Sequence, residues 1–213
     1  MKRVIRVMIT LGLVGFSLAG CSSLLPKPKP DPSRIFVLFP DIEAAERQNP
    51  DPSGQISLGV GPVRLPAYLD RREIVMRVAQ SRFDLSENDR WAEPLDENLT
   101  HVLTQNLSVL LGSDRIISYP WPLDLKPQYR VEIQVLRFES NSAGEGQLSA
   151  RWAVIDETRK EAVNLKESRL TRPAKEKSTD GSVAALSEIV ADLSREIATT
   201  VMTIDGQRAS GGP

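Results

Sequence analysis

Alternating apolar and polar residues run through much of the second half of the chain and predict β-strands there. Successive side chains of a strand lie on opposite faces of the sheet, so a half-buried strand shows a period of two. This period is present at residues 129–135 and 148–154, with a turn at 141–146 between them. We therefore expect an antiparallel hairpin, with residues 163–170 as a third strand beside it.

Shorter apolar stretches predict further strands in the first half of the chain. A polar loop with prolines and a glycine separates the first two of them. The predicted strands lie at residues 35–38, 56–60, 74–78, 83–85 and 116–117.

One segment between these strands has apolar residues three and four positions apart, the spacing of a helix that buries one stripe. It begins at Pro94, a favourable first helical residue, and ends at Gly112. Asp96 and Glu97 complement the positive end of its dipole. The predicted stripe consists of Leu95, Leu99, Val102, Leu103, Asn106 and Leu110.

A second long helix is predicted to begin at the capping sequence Asp180-Gly181-Ser182. Two helices with one buried stripe each, packed on a mainly antiparallel sheet, predict an α+β domain. Residues 206–213 are polar and glycine-rich, and we expect a disordered tail there. The stripe of the second helix consists of Leu186, Ile189, Val190, Leu193, Ile197 and Val201.

The N-terminus has the pattern of a secretory signal peptide. Three basic residues among the first six precede an apolar stretch at residues 7–18. A helix that spans a bilayer needs about 20 apolar residues, so this stretch is too short to span one and fits a signal peptide. It ends in Leu18-Ala19-Gly20-Cys21, and we expect cleavage between Gly20 and Cys21.

Cys21 is the single cysteine of the chain, and its position after small residues resembles a bacterial lipobox. The resemblance implies a diacylglycerol on the Cys21 sulfur and acylation of the freed amine, with palmitate as the expected fatty acid. Two or three such chains hold a protein on a membrane durably, whereas one binds marginally. Ser22 follows Cys21, which by resemblance to Gram-negative lipoproteins favours the outer membrane. The alternative is a plain secretory signal, or a core cysteine.

Residues 21–34 form the predicted linker between the lipidated cysteine and the folded part. Pro26, Pro28, Pro30 and Pro32 alternate with other residues, a pattern typical of polyproline II. At about 3.1 Å per residue, such a segment is a semi-rigid spacer. The expected organisation is a signal peptide at 1–20, this linker at 21–34, a domain at 35–205 and the tail at 206–213.

Composition and charge narrow the function further. Apolar residues make up 40% and charged residues 26% of the chain, as in an ordinary globular domain. The net charge of −1 becomes −4 in the mature chain, because three of the 27 basic and none of the 28 acidic residues lie in the signal peptide. This balance argues against nucleic-acid binding. One cysteine and one histidine exclude an internal disulfide and disfavour a zinc site.

The sequence offers no constellation for catalysis, for a cofactor or for a metal. His101 lies within the first predicted helix and is interpreted as a surface or half-buried side chain. The pairs Asp70/Glu73 and Asp96/Glu97 are interpreted as capping or surface carboxylates rather than catalytic pairs. We therefore expect a protein that is not an enzyme and has no cofactor.

The connection at residues 65–75 is unusual because it combines a tyrosine, a proline and two arginines. Loops with Tyr and Arg are enriched at interfaces, so Tyr68, Asp70 and Arg71 are candidates for contact with a partner. The alternative is a tyrosine packed on the core and a salt bridge from Asp70 to an arginine. Trp91 is a fourth candidate, or alternatively packs onto the first helix.

Beside the lipobox, two internal motifs stand out, Leu65-Pro66-x-Tyr68-Leu69-Asp70-Arg71 and Trp91-Ala92-Glu93-Pro94-Leu95, the second followed by Asn98-Leu99 and Asn106-Leu107. Together they resemble the PqiC/YmbA-like family of ABC-type transport auxiliary lipoproteins. This resemblance spans almost the whole mature chain. It implies an accessory subunit of a lipid transport system with MCE (mammalian cell entry) proteins, which bridge the periplasm from an inner-membrane ABC permease to the outer membrane.

We accordingly expect a non-enzymatic lipoprotein at the periplasmic face of the outer membrane that docks the MCE assembly there. Its process would be lipid transport and membrane integrity, and we expect it to be a homo-oligomer. The alternative is a periplasmic lipoprotein that itself binds a lipid or small ligand. That alternative predicts an apolar cavity of about 300 Å³ or more between the sheet and the helices.

Overall fold

The computed structural model describes residues 31–43, 56–122 and 124–210 of the chain. The predicted signal peptide, Cys21, most of the linker and the last three residues of the tail lie outside this part. Within these ranges the chain forms eight strands and two helices, and the elements expected there from the periodicity are all present. They are β1 (Arg34–Phe36), β2 (Leu58–Arg64), β3 (Glu73–Ala79), β4 (Arg82–Trp91), α1 (Leu95–Leu111), β5 (Ile116–Ser118), β6 (Tyr129–Asn141), β7 (Gly146–Asp156), β8 (Glu161–Arg172) and α2 (Thr179–Ser210).

Strand β6 organises the sheet, because it has neighbours along both edges. Strand β7 runs antiparallel along one edge, and β8 pairs with β7 in turn. The other edge is shared: β2 lies beside the start of β6, and β3 lies beside its end. Strand β5 extends the sheet from β2, while β4 and β1 extend it from β3.

The hairpin of β6 and β7 and the third strand β8 are confirmed, but the expectation of a mainly antiparallel sheet is wrong. The sheet is mixed, with parallel pairings of β1 with β4, β2 with β5, β2 with β6, and β3 with β6. A parallel pairing needs a long crossover connection, and the connection between the paired strands β2 and β5 contains β3, β4 and α1. The alternation of apolar residues is the same for both directions of pairing.

Helix α1 has the ends that its sequence predicts, with one shift. Pro94 is the N-cap rather than the first helical residue, and its carbonyl accepts the Asn98 N–H at 3.0 Å. Gly112 ends the helix in the left-handed conformation, at φ 60°, which glycine adopts without strain. The predicted stripe is buried throughout.

Helix α2 differs from its prediction at both ends. Ser178 is the cap instead of the sequence 180–182, since its hydroxyl accepts the Gly181 N–H at 3.0 Å. The helix then continues to Ser210, so residues 206–210 are helical rather than part of a disordered tail. The predicted buried stripe of α2 is confirmed.

The core lies between one face of the sheet and the two helices. Helix α1 packs on β2 and β5, α2 packs on β6, β7 and β8, and the helices pack on each other. Large side chains such as Tyr129, Phe138 and Trp152 fill this layer and are at most 2% exposed. Burial of a side chain of this size stabilises the fold by about 1.5–3 kcal/mol. These side chains fill the centre of the layer, while a cleft of about 330 Å³ opens at its edge, between β3, β4, the end of β6 and the start of α2.

The opposite face of the sheet carries charged side chains and is called the open face here. Arg151 and Glu167 pair across β7 and β8 at 3.0 Å, and Arg130 and Glu132 pair at 3.0 Å on β6. Such exposed pairs are each worth at most about 1 kcal/mol. Neither helix of the described part is both long enough and apolar enough to cross a membrane.

Candidate docking surface

The loop at residues 65–72 joins β2 to β3 and carries three of the four predicted interface residues. Two backbone bonds shape it, from the Leu69 N–H to the Pro66 carbonyl and from the Arg71 N–H to the Leu69 carbonyl, both at 2.9 Å. Leu69 is only 2% exposed and packs in the core. The loop is therefore fixed to the domain at its centre.

Tyr68 fixes the same loop through its side chain. Its hydroxyl donates to Glu139 Oε2 at 2.9 Å, and its ring stacks on Phe83 with centroids 4.6 Å apart. Burial, together with the hydrogen bond to the negatively charged Glu139, raises the pKa of the Tyr68 hydroxyl far above its usual value. Tyr68 is therefore a proton donor to Glu139 at any physiological pH.

Glu139 is a buried carboxylate, 1% exposed, that the sequence analysis missed. Arg77 and Arg137 each donate an Nε–H to its Oε1 at 2.7 Å. The Phe138 backbone N–H donates to Oε2 at 3.0 Å. Two cations and two neutral donors thus surround this one carboxylate, and Arg77 also lies 4.2 Å from the centre of the Phe83 ring.

A bulge in β6 explains why a glutamate is buried at this position. Up to Val135 the odd-numbered residues face the helices, but the pairing with β7 shifts between Val135 and Arg137. After the shift Phe138 faces the core and Glu139 faces the other way, beneath the loop and the β3–β4 hairpin. The adjacent apolar residues Val135 and Leu136 break the alternation in the sequence and are the signal that could have revealed the bulge.

Trp91 belongs to the same corner but is buried at 5% exposure. Its backbone N–H donates to the Arg72 carbonyl at 2.8 Å, which ties the end of β4 to the end of the loop. The structure thus brings the two sequence motifs together, and the Trp91 side chain is buried where they meet. Packing, rather than exposed contact, is the interpretation that fits Trp91.

Asp70 and Arg71 are the exposed members of the predicted set. The salt bridge from Asp70 to an arginine, which belonged to the alternative interpretation, does not form: in the described ranges, Asp70 has no ion pair. The nearby Glu73 pairs instead with Arg90, at 3.5 Å. The loop therefore presents two oppositely charged side chains at the tip of a firmly held support.

A second buried carboxylate, Asp89 on β4, lies near the start of the domain. Arg34 donates to both of its oxygens at 2.7 and 2.9 Å, and the Thr179 hydroxyl donates at 2.6 Å. Burial would raise the pKa of Asp89, but the hydrogen bonds from Arg34, Thr179 and Ser86 outweigh burial and hold that pKa below its usual value. This arrangement joins β1, where the predicted linker ends, to β4 and to the start of α2.

A third buried carboxylate, Asp156, ends β7. It accepts the Thr158 and Arg159 backbone N–H groups at 2.8 and 3.0 Å, and Arg208 lies 3.4 Å away. Burial would raise the pKa of Asp156, but these backbone hydrogen bonds lower it further than burial raises it. Asp89 and Asp156 are thus held ionised and are poor proton donors.

The remaining candidates for chemistry lie apart from one another. His101 is exposed, as expected, with Nδ1 3.5 Å from Glu93 Oε2. Asp96 and Glu97 lie in the first turn of α1, as predicted for residues that meet the helix dipole. Within the described ranges, no three His, Cys, Asp or Glu residues are grouped closely enough to hold a metal.

Comparison with known proteins gives consistent matches over the folded part. Residues 37–198 match the family described as ABC-type transport auxiliary lipoprotein components. The intermembrane transport lipoprotein PqiC of Escherichia coli (strain K12) is 27% identical over 135 residues, which cover 63% of this chain and 67% of that protein. The PqiC protein of Shigella flexneri matches to the same extent.

Two solved structures share the fold. Protein XCC0632 from Xanthomonas campestris aligns with a TM-score of 0.67 and 18% identity, over 84% of this chain and all of that one. An uncharacterized protein aligns with a TM-score of 0.64 and 20% identity, over 79% of this chain and 98% of that one. At these identities the likeness concerns the fold alone.

Proposed function

Because the chain belongs to the family of ABC-type transport auxiliary lipoprotein components, whose role is non-enzymatic, we propose that it docks the periplasmic MCE assembly of such a transporter at the outer membrane. In this proposal the transported cargo is lipid, and the protein contributes to membrane integrity. The observation that carries it is the support of the loop at 65–72, which holds Asp70 and Arg71 exposed on a rigid base. The name of the relative PqiC, an intermembrane transport lipoprotein, agrees with a role between two membranes.

The proposed anchor is the lipidated Cys21 at the periplasmic face of the outer membrane, after cleavage between Gly20 and Cys21. The proline-rich residues up to 34 would then separate the domain from the membrane. A tethered domain meets its partner at a raised effective concentration, so weak contacts at the loop are sufficient for binding. The description of the family as lipoproteins supports this anchor.

The proposed contact surface consists of Asp70 and Arg71, with Tyr68 and Trp91 holding it in place. Charged residues at the edge of an interface set partner choice and encounter rate more than affinity. A partner loop or helix end with the opposite order of charges would fit the pair. Disturbing the pair is therefore expected to weaken docking without unfolding the domain.

Co-purification tests this proposal. The full lipidated chain is expressed with an MCE protein from the same organism, and the complex is isolated from detergent-solubilised membranes. The variant Asp70→Lys/Arg71→Glu is expected to reduce the recovered MCE protein several-fold. The matched control is Arg82→Glu/Asp84→Lys, which reverses the same two charges at exposed positions on β4. Equal recovery with both variants, or no complex with the unaltered chain, would contradict the proposal.

The anchor has its own test. Metabolic labelling with palmitate is expected to mark the mature chain and to fail for Cys21→Ser. Membrane fractionation is expected to place the labelled chain in the outer membrane. An unlabelled mature chain in the periplasmic extract would overturn the anchor while leaving the family assignment intact.

The expectation of a homo-oligomer stays a prediction. Analytical ultracentrifugation of the lipidated chain in detergent checks it, with a mass above that of one copy as the expected result. A single copy at all concentrations would remove this part of the proposal.

A further inference from the structure

A cleft of about 610 Å³ opens at the start of β6, far along that strand from the loop of Tyr68. Three separate connections form its wall. They are the turn after α1 with Arg115, the segment before β6 with Trp121 and Lys126, and the turn between β7 and β8 with Lys160. Residues distant in sequence therefore meet around one opening.

One wall of the cleft is aromatic and apolar. Trp121 lies against Gly59 of β2, where a Cβ atom would come within 2.9 Å of the indole ring. A residue larger than glycine would therefore displace the ring. Tyr119 supports the indole edge-on, with centroids 5.4 Å apart, and Leu125 beside it is 44% exposed. Within the sequence Gly59-Val60-Gly61, the absence of a side chain at Gly59 thus leaves room for the Trp121 ring.

The other wall carries positive charge. Arg115, Lys126 and Lys160 line the cleft, and Glu157 is the one acidic residue among those that do. Glu157 pairs with Lys160, and its Oε1 also lies 2.9 Å from Arg130 Nε. The cleft therefore has more positive than negative side chains, although acidic residues outnumber basic ones in the chain as a whole.

Lys160 occupies a backbone position that favours glycine. Its φ is 58°, and it is the one residue other than glycine with a positive φ in the described ranges. The left-handed region is unfavourable for a side chain with a Cβ atom, and turns usually place Gly or Asn there. Lysine at this position is unfavourable for the fold of the turn, and it adds a third cation to the cleft.

We propose that this cleft binds the phosphate group of an amphiphile, with the phosphate against Lys126, Lys160 and Arg115 and the apolar part against Trp121 and Leu125. Lysine and arginine bind phosphate oxygens through charge-assisted hydrogen bonds. Tryptophan beside basic residues is the combination that proteins use where headgroups meet acyl chains. The inference does not depend on the docking function proposed above, since it concerns the opposite end of β6.

Fluorescence quenching by brominated lipids tests the site. Trp121 is the indole that quencher can reach, because Trp91 and Trp152 are at most 5% exposed. The full lipidated chain in dodecyl maltoside micelles is titrated with brominated phosphatidylglycerol. Brominated diacylglycerol, with the same chains and no phosphate, is the parallel titration. We expect at least fivefold stronger quenching by the phospholipid at equal mole fraction, and loss of the quenching in Trp121→Phe.

Two variants separate binding from folding. Lys126→Gln/Lys160→Gly removes two cations and places glycine where the backbone favours it, so the fold is retained while quenching by the phospholipid falls at least fivefold. The matched control is Lys175→Gln, because Lys175 also pairs with a glutamate, Glu188 at 3.0 Å, but lies outside the cleft. Quenching of this control is expected to stay within twofold of the unaltered chain.

Three results would overturn the proposal. Equal quenching by the brominated diacylglycerol would show that phosphate is not recognised. Unchanged quenching in the double variant would show that the cations do not bind it. Displacement of the phospholipid by low millimolar inorganic phosphate would show a site for free phosphate rather than for an amphiphile.

Discussion

The two ends of β6 each carry an aromatic pair on the open face of the sheet. One pair lies beside a cleft, and the other covers a buried carboxylate. At the start, Trp121 lies on Gly59 and meets Tyr119 edge-on, beside the cleft of about 610 Å³. At the end, Tyr68 stacks on Phe83 above the buried carboxylate of Glu139. On this face of the sheet, the start of β6 thus leaves an opening with cations around it, whereas the end of β6 is covered above the charge of Glu139.

This difference predicts which end of β6 tolerates the substitution of its charged residues. Removing one partner of a buried ion pair lowers the free energy of unfolding by several kcal/mol, because the remaining charge stays desolvated and unpaired. Exposed charges are compensated by water and cost little when altered. We therefore expect removal of the buried charge at the end of β6 to affect folding, and removal of the exposed cations at its start to affect mainly ligand contact.

The largest expected effect is at Glu139. Replacement by glutamine leaves Arg77 and Arg137 without a negative partner and should lower the free energy of unfolding by about 3 kcal/mol. Urea unfolding followed by circular dichroism measures this. The control Glu132→Gln, on the same strand but with an exposed carboxylate, should cost less than about 1 kcal/mol. Equal losses would remove the contrast between the two ends.

The next effect is at Asp89 on β4, the strand that β3 separates from the end of β6. Asp89→Asn weakens the bonds from Arg34 and Thr179 and should lower the free energy of unfolding by about 2 kcal/mol at pH 7. Asp84→Asn, exposed on the same strand, is the control and should be neutral.

The pH dependence of stability tests whether the negative charge of Asp89 causes the stabilisation that Asp89→Asn removes. The pKa of Asp89 is lower in the folded than in the unfolded chain, so its stabilisation is present above the unfolded value of about 3.9 and is lost as the pH falls through the folded value. The unaltered chain should lose stability below about pH 4 more steeply than Asp89→Asn. Parallel curves would show that the carboxylate charge is not what stabilises this corner.

A smaller effect is expected at Gly59, at the open end. Gly59→Ala forces the Trp121 ring away from the strand and should cost about 1–2 kcal/mol, with a red shift of tryptophan emission. Gly206→Ala provides a control of opposite sign. A Cβ atom at Gly206 meets no atom within 4 Å, so alanine should stabilise α2 by up to about 1 kcal/mol. An unshifted emission in Gly59→Ala would place Trp121 elsewhere.

The smallest effect on stability is expected at the tip of the loop. Asp70→Ala and Arg71→Ala should each change the free energy of unfolding by less than about 0.5 kcal/mol, because both side chains are exposed. Tyr68→Phe, which removes the bond to Glu139, should cost about 1 kcal/mol or more in the same assay. If Asp70→Ala lowered the free energy of unfolding as much as Tyr68→Phe, Asp70 would contribute to the stability of the loop rather than only to its exposed surface.

Much of this fold could be predicted because periodicity reports which side of an element is buried. The stripes of α1 and α2 and the β6–β7 hairpin follow directly from apolar spacing, and Gly112 ends α1 as its sequence indicates. Of the candidate interface, the loop of Tyr68, Asp70 and Arg71 was identified from composition. The contact between this loop and Glu139 could not be predicted, because a bulge changes which residues of β6 face the core.

What the sequence determined by itself is local: the elements, their buried faces and the motifs that lead to the family. Only the tertiary structure decided which strands pair in parallel, which carboxylates are buried, and that Arg115, Lys126 and Lys160 share one cleft. The physical reason is that the period of a strand or helix is set by its own backbone geometry. Its neighbours depend instead on how distant segments close on each other, and many closures are compatible with the same apolar pattern.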